Sequence, residues 1–200
     1  SLVGGQSSLI KEPWPKINHK YLEDDEATVV IQINGKRRGE VVVSKEASEK
    51  DIYDEIQKIR IKSSVKINYK SIYEISKKIN LTPSLYLNAG AIHGCVIIKK
   101  NNPIIYMEDV GRHNAVDKIA GYMFLNNIKS KDKIFYTTGR LTSEMIIKTV
   151  KMNIPILISR SGFTSWGVEL AIKANLTLIG RAKGKRFTVL SGEQRIKKDL

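Results

Sequence analysis

The spacing of apolar residues changes character along this chain. Residues 27–33 and 39–43 are β-rich runs on either side of Asn34-Gly35, a dipeptide suited to a two-residue hairpin turn because both positions accept positive φ. Ser48-Glu49-Lys50-Asp51 then resembles a capping box, and Ile52, Ile56 and Ile59 fall on one helical face. From about residue 60 helical and strand patterns alternate. Ile72, Ile75 and Ile79 predict a short helix, and residues 94–99 and 103–110 predict two strands joined by a polar turn. Val116, Ile119, Ala120, Met123 and Phe124 form a helical stripe, 133–136 a strand, and Met145, Ile146, Thr149 and Val150 a second stripe. A strand at 155–159, a helix at 164–174, and strands at 176–179 and 187–190 complete the set. Such alternation predicts an α/β fold around a largely parallel sheet, preceded by a small α+β segment.

The boundaries that follow are a remnant of cloning at 1–8, the small segment at 9–62 and the α/β domain at 63–200, with the joint within 58–68. No run approaches the roughly 20 apolar residues of a membrane helix. With one cysteine, Cys95, the chain can form neither an internal disulfide nor a cysteine-based zinc site, and no metal is expected. The expectation is a cytoplasmic protein. A net charge of +14 points to an anionic partner such as RNA or nucleotide phosphates, or else to a lysine-rich solvated surface.

Chemistry concentrates at three predicted strand-to-helix junctions. The first is Glu108-Asp109-Val110-Gly111-Arg112-His113-Asn114, the second Thr137-Thr138-Gly139-Arg140-Leu141-Thr142-Ser143-Glu144, and the third Ser159-Arg160-Ser161-Gly162-Phe163-Thr164-Ser165. Each combines a glycine, an arginine and a capping hydroxyl or amide. In a parallel sheet they share the carboxyl edge, where free helix N–H groups and the helix dipole favour anions. Asp109, Gly111, Arg112, His113, Asn114, Thr138, Gly139, Arg140 and Ser143 are therefore candidate binding residues. Taken singly, each junction is also explained by capping and turn formation. His113, between Arg112 and Asn114, suits orienting a ligand or bracing the turn, and His93 reads as a brace before its strand. Arg181-Ala182-Lys183-Gly184-Lys185-Arg186, after the strand at 176–179, reads as a phosphate-binding loop, and Arg195–Lys198 as a basic terminus.

Two resemblances attach to these residues. Gly90-Ala91-Ile92-His93, Glu108 to Lys118, Thr138 to Met145, and Thr164 to Leu170 with Leu176 to Gly180 resemble, in order over about 69–195, the FdhD/NarQ family of formate dehydrogenase accessory sulfur carriers. That resemblance implies a three-layer α/β fold similar to cytidine deaminases without their zinc ligands. It also implies sulfur transfer from a cysteine desulfurase to bis-molybdopterin guanine dinucleotide, the molybdenum cofactor of formate dehydrogenase, with the cofactor held by the basic loop matched here by Arg181 to Arg186. The chain departs from the family in having no Cys-x-x-Cys ahead of Gly90; Ser63-Ser64-Val65-Lys66-Ile67-Asn68 stands nearest, which leaves Cys95 as the one thiol. The second resemblance covers about 11–58: Glu12-Pro13-Trp14-Pro15 and Val29 to Gly39 are similar to the C-terminal domain of bacterial leucyl-tRNA synthetases, which implies an RNA contact. Two other readings stay open beside the sulfur-carrier one: a tRNA- or RNA-binding module, and a non-functional chimera of two gene fragments. A homodimer also stays open.

Overall fold

A computed structural model of the chain describes residues 26–33, 36–44, 54 and 58–198. Strands β1 (Glu26–Ile33) and β2 (Lys36–Ser44) pair antiparallel with an irregularity after Ile31, and Ile33 lies opposite Lys36, the register that a two-residue turn at 34–35 produces. The helix expected from Ser48 onward, the stretch 1–25 and the turn residues themselves fall outside the described residues.

The remainder is organised on a six-stranded sheet. Its strands are β4 (His93–Lys99), β5 (Asn102–Asp109), β6 (Ile134–Thr137), β7 (Ile156–Ser159), β8 (Thr177–Lys183) and β9 (Arg186–Ser191), in the spatial order β5-β4-β6-β7-β8-β9. The pairs β6–β7 and β7–β8 are parallel; β4 runs antiparallel to both β5 and β6, and β9 antiparallel to β8. The sheet is thus mixed, with a parallel centre and a hairpin on each flank. Because β4 opposes both its neighbours, β5 points the same way as β6, β7 and β8.

Helices α1 (Tyr69–Leu81), α3 (Arg112–Leu125), α4 (Ser143–Lys151) and α5 (Ser165–Lys173) cover the two faces, and a single turn and a half, α2 (Leu85–Ala89), precedes β4. The faces follow from strand alternation. Cys95, Ile97, Phe135, Leu157 and Leu178 pack with Val116 and Ile119 of α3, Met145 and Ile146 of α4 and Leu170 of α5. Val96, Ile98, Tyr136, Ile156, Ile158 and Ile179 face the other way, onto Ile72, Ile75 and Ile79 of α1. Both faces of the central strands are buried, which is why these strands read as unbroken apolar runs. The result is the three-layer α/β architecture that the family resemblance implies.

Local chemistry sets where elements begin and end. Asn68 caps α1 by accepting the Ser71 N–H at 2.8 Å, a contact of the kind that contributes about 1 kcal/mol. Pro83 holds Thr82 extended and stops the helix. Short strands β3 (Ile67–Asn68) and β10 (Ile196–Lys197) pair in parallel beside the main sheet.

Two contacts define the ends of this unit. Ile61 is 1% exposed within the core, and its N–H donates to Ala174 O at 2.9 Å, so the packing of the α/β unit takes in residue 61, inside the 58–68 stretch expected to hold the joint. Arg195 is not part of a free basic terminus. It is 3% exposed, and its Nη1 donates to Asn175 O at 2.8 Å and to Thr177 Oγ1 at 3.2 Å, which ties the end of the chain to the loop before β8. Desolvation lowers its pKa from the ordinary value.

Candidate functional site

The strand directions place the ends of β5, β6, β7 and β8, together with the start of β4, on one edge of the sheet. The three junctions predicted from sequence therefore do lie side by side. They are also tied to one another. The Thr138 N–H donates to Gly94 O at 2.9 Å, and Gly94 N–H donates back to Thr138 Oγ1 at 2.9 Å. Ser159 Oγ donates to Gly139 O at 2.6 Å, and Leu141 N–H to Gly162 O at 2.9 Å, so the second and third junctions continue the parallel pairing beyond the sheet.

The first junction is braced by carboxylates. Asp109 Oδ1 accepts the Gly111 N–H at 2.9 Å and Asn114 Nδ2 at 3.2 Å, while Lys118 Nζ reaches Asp109 Oδ2 at 2.6 Å. The Lys118 bond first, then the Gly111 N–H, hold the Asp109 carboxyl down at about 2. Glu108 faces away and takes both Leu85 N–H (3.0 Å) and Tyr86 N–H (2.7 Å), so its charge sits on the free N–H groups at the start of α2. Asp109 and Asn114 thus act on the turn itself, and His113 Nε2 pairs with Glu144 Oε2 at 2.9 Å to join α3 to α4.

What remains after these pairings is positive and under-bonded. His93 opens β4 opposite Asp109, and its Nδ1 is buried without a hydrogen-bond partner, as is Nε of Arg112. Burial first, then the charges of Arg112, Arg140 and His113, push the His93 pKa below its usual 6.5. His93 therefore lies within the field of Arg112, Arg140 and the Glu144-paired His113, and buried polar atoms left unsatisfied, His93 Nδ1 and Arg112 Nε, carry a penalty that a hydrogen-bonding ligand would relieve. The N-termini of α3 and α4 begin at Gly111 and Thr142 without side-chain caps, so their first N–H groups remain open to the same edge. Gly139 leaves little room at this point: a Cβ would lie 3.1 Å from the Arg112 Cβ, so a side chain there would press on Arg112. Ser143 stands at the first position of α4, half-buried.

The third junction contributes a shelf. Arg160 lies with its guanidinium carbon 5.1 Å from the centre of the Tyr86 ring, and its Nη1 donates to Asn80 Oδ1 at 3.1 Å. Sequence reasoning missed Tyr86, Asn80 and the capping role of Glu108. No local pattern marks them, because Asn80 and Arg160 meet only through the fold.

The basic segment differs from the expected loop. Arg181 and Lys183 belong to β8, Lys183 pairs with Arg186, and only Gly184 (φ 61°) and Lys185 turn the chain. It is a hairpin tip. Ala182 is 1% exposed in the core against α1, so its side chain is no ligand. Arg181, Lys183, Lys185 and Arg186 line a shallow concavity with Phe187, whose ring packs on Tyr69 and Tyr73 of α1. Arg181 links this concavity to the third junction: its N–H donates to Ser161 O at 3.0 Å, and its guanidinium lies over Phe163 at 5.4 Å.

Cys95 is fully buried on β4, with Sγ 3.5 Å from Thr137 Oγ1. Burial pushes its thiol up to about 12. Among the described residues no three His, Cys, Asp or Glu side chains come together in a metal-binding group, and no helix is long and apolar enough to cross a membrane.

Comparison with known proteins gives this geometry a context. A sequence model of the FdhD/NarQ family matches residues 16–197. The chain is 36% identical over 112 residues to a Bacillus pumilus protein named sulfur carrier protein FdhD, a match covering 56% of this chain and 43% of that one. It is 42% identical over 90 residues to Protein FdhD of Methanocaldococcus jannaschii, covering 45% and 40%. Among solved structures it is similar to a putative formate dehydrogenase accessory protein from Desulfotalea psychrophila, with a TM-score of 0.65 and 29% identity over 87% of this chain and 72% of that one. The matched region spans about half the length, or less, of these curated relatives. The family match starts at residue 16 and so takes in the hairpin segment as well; the resemblance of 11–58 to leucyl-tRNA synthetase finds no support in these comparisons.

Proposed function

The chain belongs to the FdhD/NarQ family, and from that premise we propose that its carboxyl edge binds the guanine dinucleotide end of the molybdenum cofactor in service of formate dehydrogenase. The observation that carries the reading is that His93 Nδ1 and Arg112 Nε are buried and unpaired on the edge where the Arg112 side chain lies against Gly139. A pyrophosphate suits this spot. It offers acceptor oxygens to the Arg112 and Arg140 guanidiniums, and the uncapped starts of α3 and α4 add N–H groups of the same polarity. The Arg181–Arg186 hairpin supplies a second set of cations to the same cargo, joined to the edge through Arg181. When bound, the cofactor supplies the molybdenum centre to be sulfurated; the residues of this chain hold its phosphates and orient them.

The proposal stops at binding. Sulfur carriage needs an accessible thiolate, and the single cysteine of this sequence lies in the core with its thiol pushed up to about 12. The test is titration calorimetry of the full chain with guanosine diphosphate. Binding is expected, is lost in Arg112→Ala with Arg140→Ala, and weakens in Lys183→Ala with Lys185→Ala. Unchanged binding in the arginine pair would place the nucleotide elsewhere, and unchanged binding in the lysine pair would remove the hairpin from the site.

A further inference from the structure

The far end of the sheet carries a different surface. Between the C-terminal halves of α3 and α4 and the loop 126–133 runs a groove whose floor includes Met123, Phe124 and Ile104. Ile104 is 47% and Phe124 44% exposed, so the floor is open apolar surface. Gly121 lies in this wall in the interior of α3, where a Cβ would meet nothing within 4 Å. Glycine disfavours the middle of a helix, and here it leaves a bare notch that another chain can approach.

The rim is cationic. Lys99, Lys129, Lys131, Lys133, Lys148 and Lys151 line the groove against two carboxylates, Asp117 and Asp132. Asp117 is taken by Lys148 at 2.7 Å, and Asp132 by Lys133 and by Lys99 at 3.7 Å. Lys129, Lys131 and Lys151 are left with no carboxylate partner among the described residues. Lys151 stands in the last turn of α4, where the helix dipole favours a cation. Lys129 and Lys131 lie in the loop beyond α3 and have no such reason to be there.

We infer that this groove docks an acidic segment of a partner protein, one that presents apolar side chains to the floor and carboxylates to the lysine rim. Charge complementarity selects the acid, and the Phe124–Ile104 floor selects a segment with apolar anchors, the helix-in-groove mode of recognition. Nucleic acid is disfavoured because the rim holds lysines alone, whereas the planar forks suited to phosphate, Arg112, Arg140, Arg160 and Arg181, all lie at the other edge. The groove is separate from the cofactor edge, so the inference does not rest on the reading above.

The probe is a labelled helical peptide with glutamates on one face and leucines on the other, followed by fluorescence anisotropy with the full chain. Saturable, salt-sensitive binding is expected, weakened about tenfold or more by Lys129→Glu with Lys131→Glu and Lys151→Glu. Gly121→Met is expected to block binding while leaving the melting temperature unchanged or higher, which separates a filled groove from a broken fold. A peptide with serines in place of the leucines should bind weakly. Unchanged affinity in either variant overturns the inference, and so does equal binding of the serine peptide or of an oligouridylate. Binding that appears only after Glu23, Asp24 and Asp25 are replaced by their amides also overturns it, in favour of the chain's own acidic stretch.

Discussion

Gly94 and Thr138 hydrogen-bond to each other twice, N–H to side-chain oxygen in one direction and N–H to carbonyl in the other, both at 2.9 Å. The pair fastens the start of β4 to the residue that follows β6 and so fixes the strand end that carries His93. Thr138→Val keeps the shape and deletes the acceptor. The buried Gly94 N–H is then unsatisfied, and a loss of about 1–3 kcal/mol in urea unfolding is expected. Thr138→Ser, which restores the oxygen, should recover most of it.

His93 makes the fold sensitive to mild acid. Its pKa is depressed in the folded chain by burial and by Arg112, Arg140 and His113, so the unfolded chain binds the proton more readily. Stability present above the unfolded value of about 6.5 is therefore lost as pH falls from there toward the folded value. Urea midpoints measured from pH ~7.5 to ~5.5 should decline in the parent chain and flatten in His93→Gln. An anion at the site works the other way: saturating pyrophosphate should raise the His93 pKa in a proton NMR titration, and no movement would argue against an anion beside the ring.

Asp109 responds in the same direction at lower pH. Its carboxyl is held at about 2 chiefly by Lys118, so its stabilising contacts are complete above the ordinary value of 3.8 and are lost as pH falls from there toward 2. Lys118→Met should move the Asp109 midpoint upward in a carboxyl carbon NMR titration and shift the onset of acid unfolding to higher pH. An unmoved midpoint would mean that the Gly111 N–H and the Asn114 amide hold the carboxylate without Lys118.

Cys95 should behave as core. Incubation of the native chain with a cysteine desulfurase and cysteine is expected to leave no persulfide mass on Cys95, and an aromatic disulfide reagent should react only once the chain is unfolded. Rapid modification of the native chain would reopen a carrier role for this thiol. Cys95→Ala should cost about 1 kcal/mol through the small cavity it leaves.

Glu108 holds the start of α2 through the Leu85 and Tyr86 N–H groups, contacts made across 23 and 22 residues of sequence. Glu108→Leu should raise amide exchange at Leu85 and Tyr86 and loosen the ring that lies under Arg160. Exchange that stays slow there would show that the Glu108 carboxylate is not what protects those two amides.

Much of this molecule is legible in local pattern. The Ile72-Ile75-Ile79 spacing gives α1, the apolar runs at 94–99, 133–136 and 155–159 give buried strands, and a glycine and an arginine recur at each of the three junctions on the carboxyl edge. These survive because 3.6-residue and 2-residue periodicities are properties of the chain itself. The sequence also settles the chemical limit that matters most, since one cysteine cannot make a Cys-x-x-Cys.

Other features depend on which distant residues the fold brings together. Whether Cys95 is exposed depends on α3, α4 and the neighbouring strands closing over one face of β4. Whether Arg181–Arg186 is a loop or a hairpin tip depends on β9 pairing with β8, which places Ala182 in the core and its cationic neighbours outside. The charge environment of His93 depends on Arg112, Arg140 and His113, and the bonds of Arg195 depend on Asn175 and Thr177. Burial, pairing and summed charge are properties of residues far apart in the chain. A sequence supplies the groups, and only the tertiary structure decides which of them are left with an unmet bond.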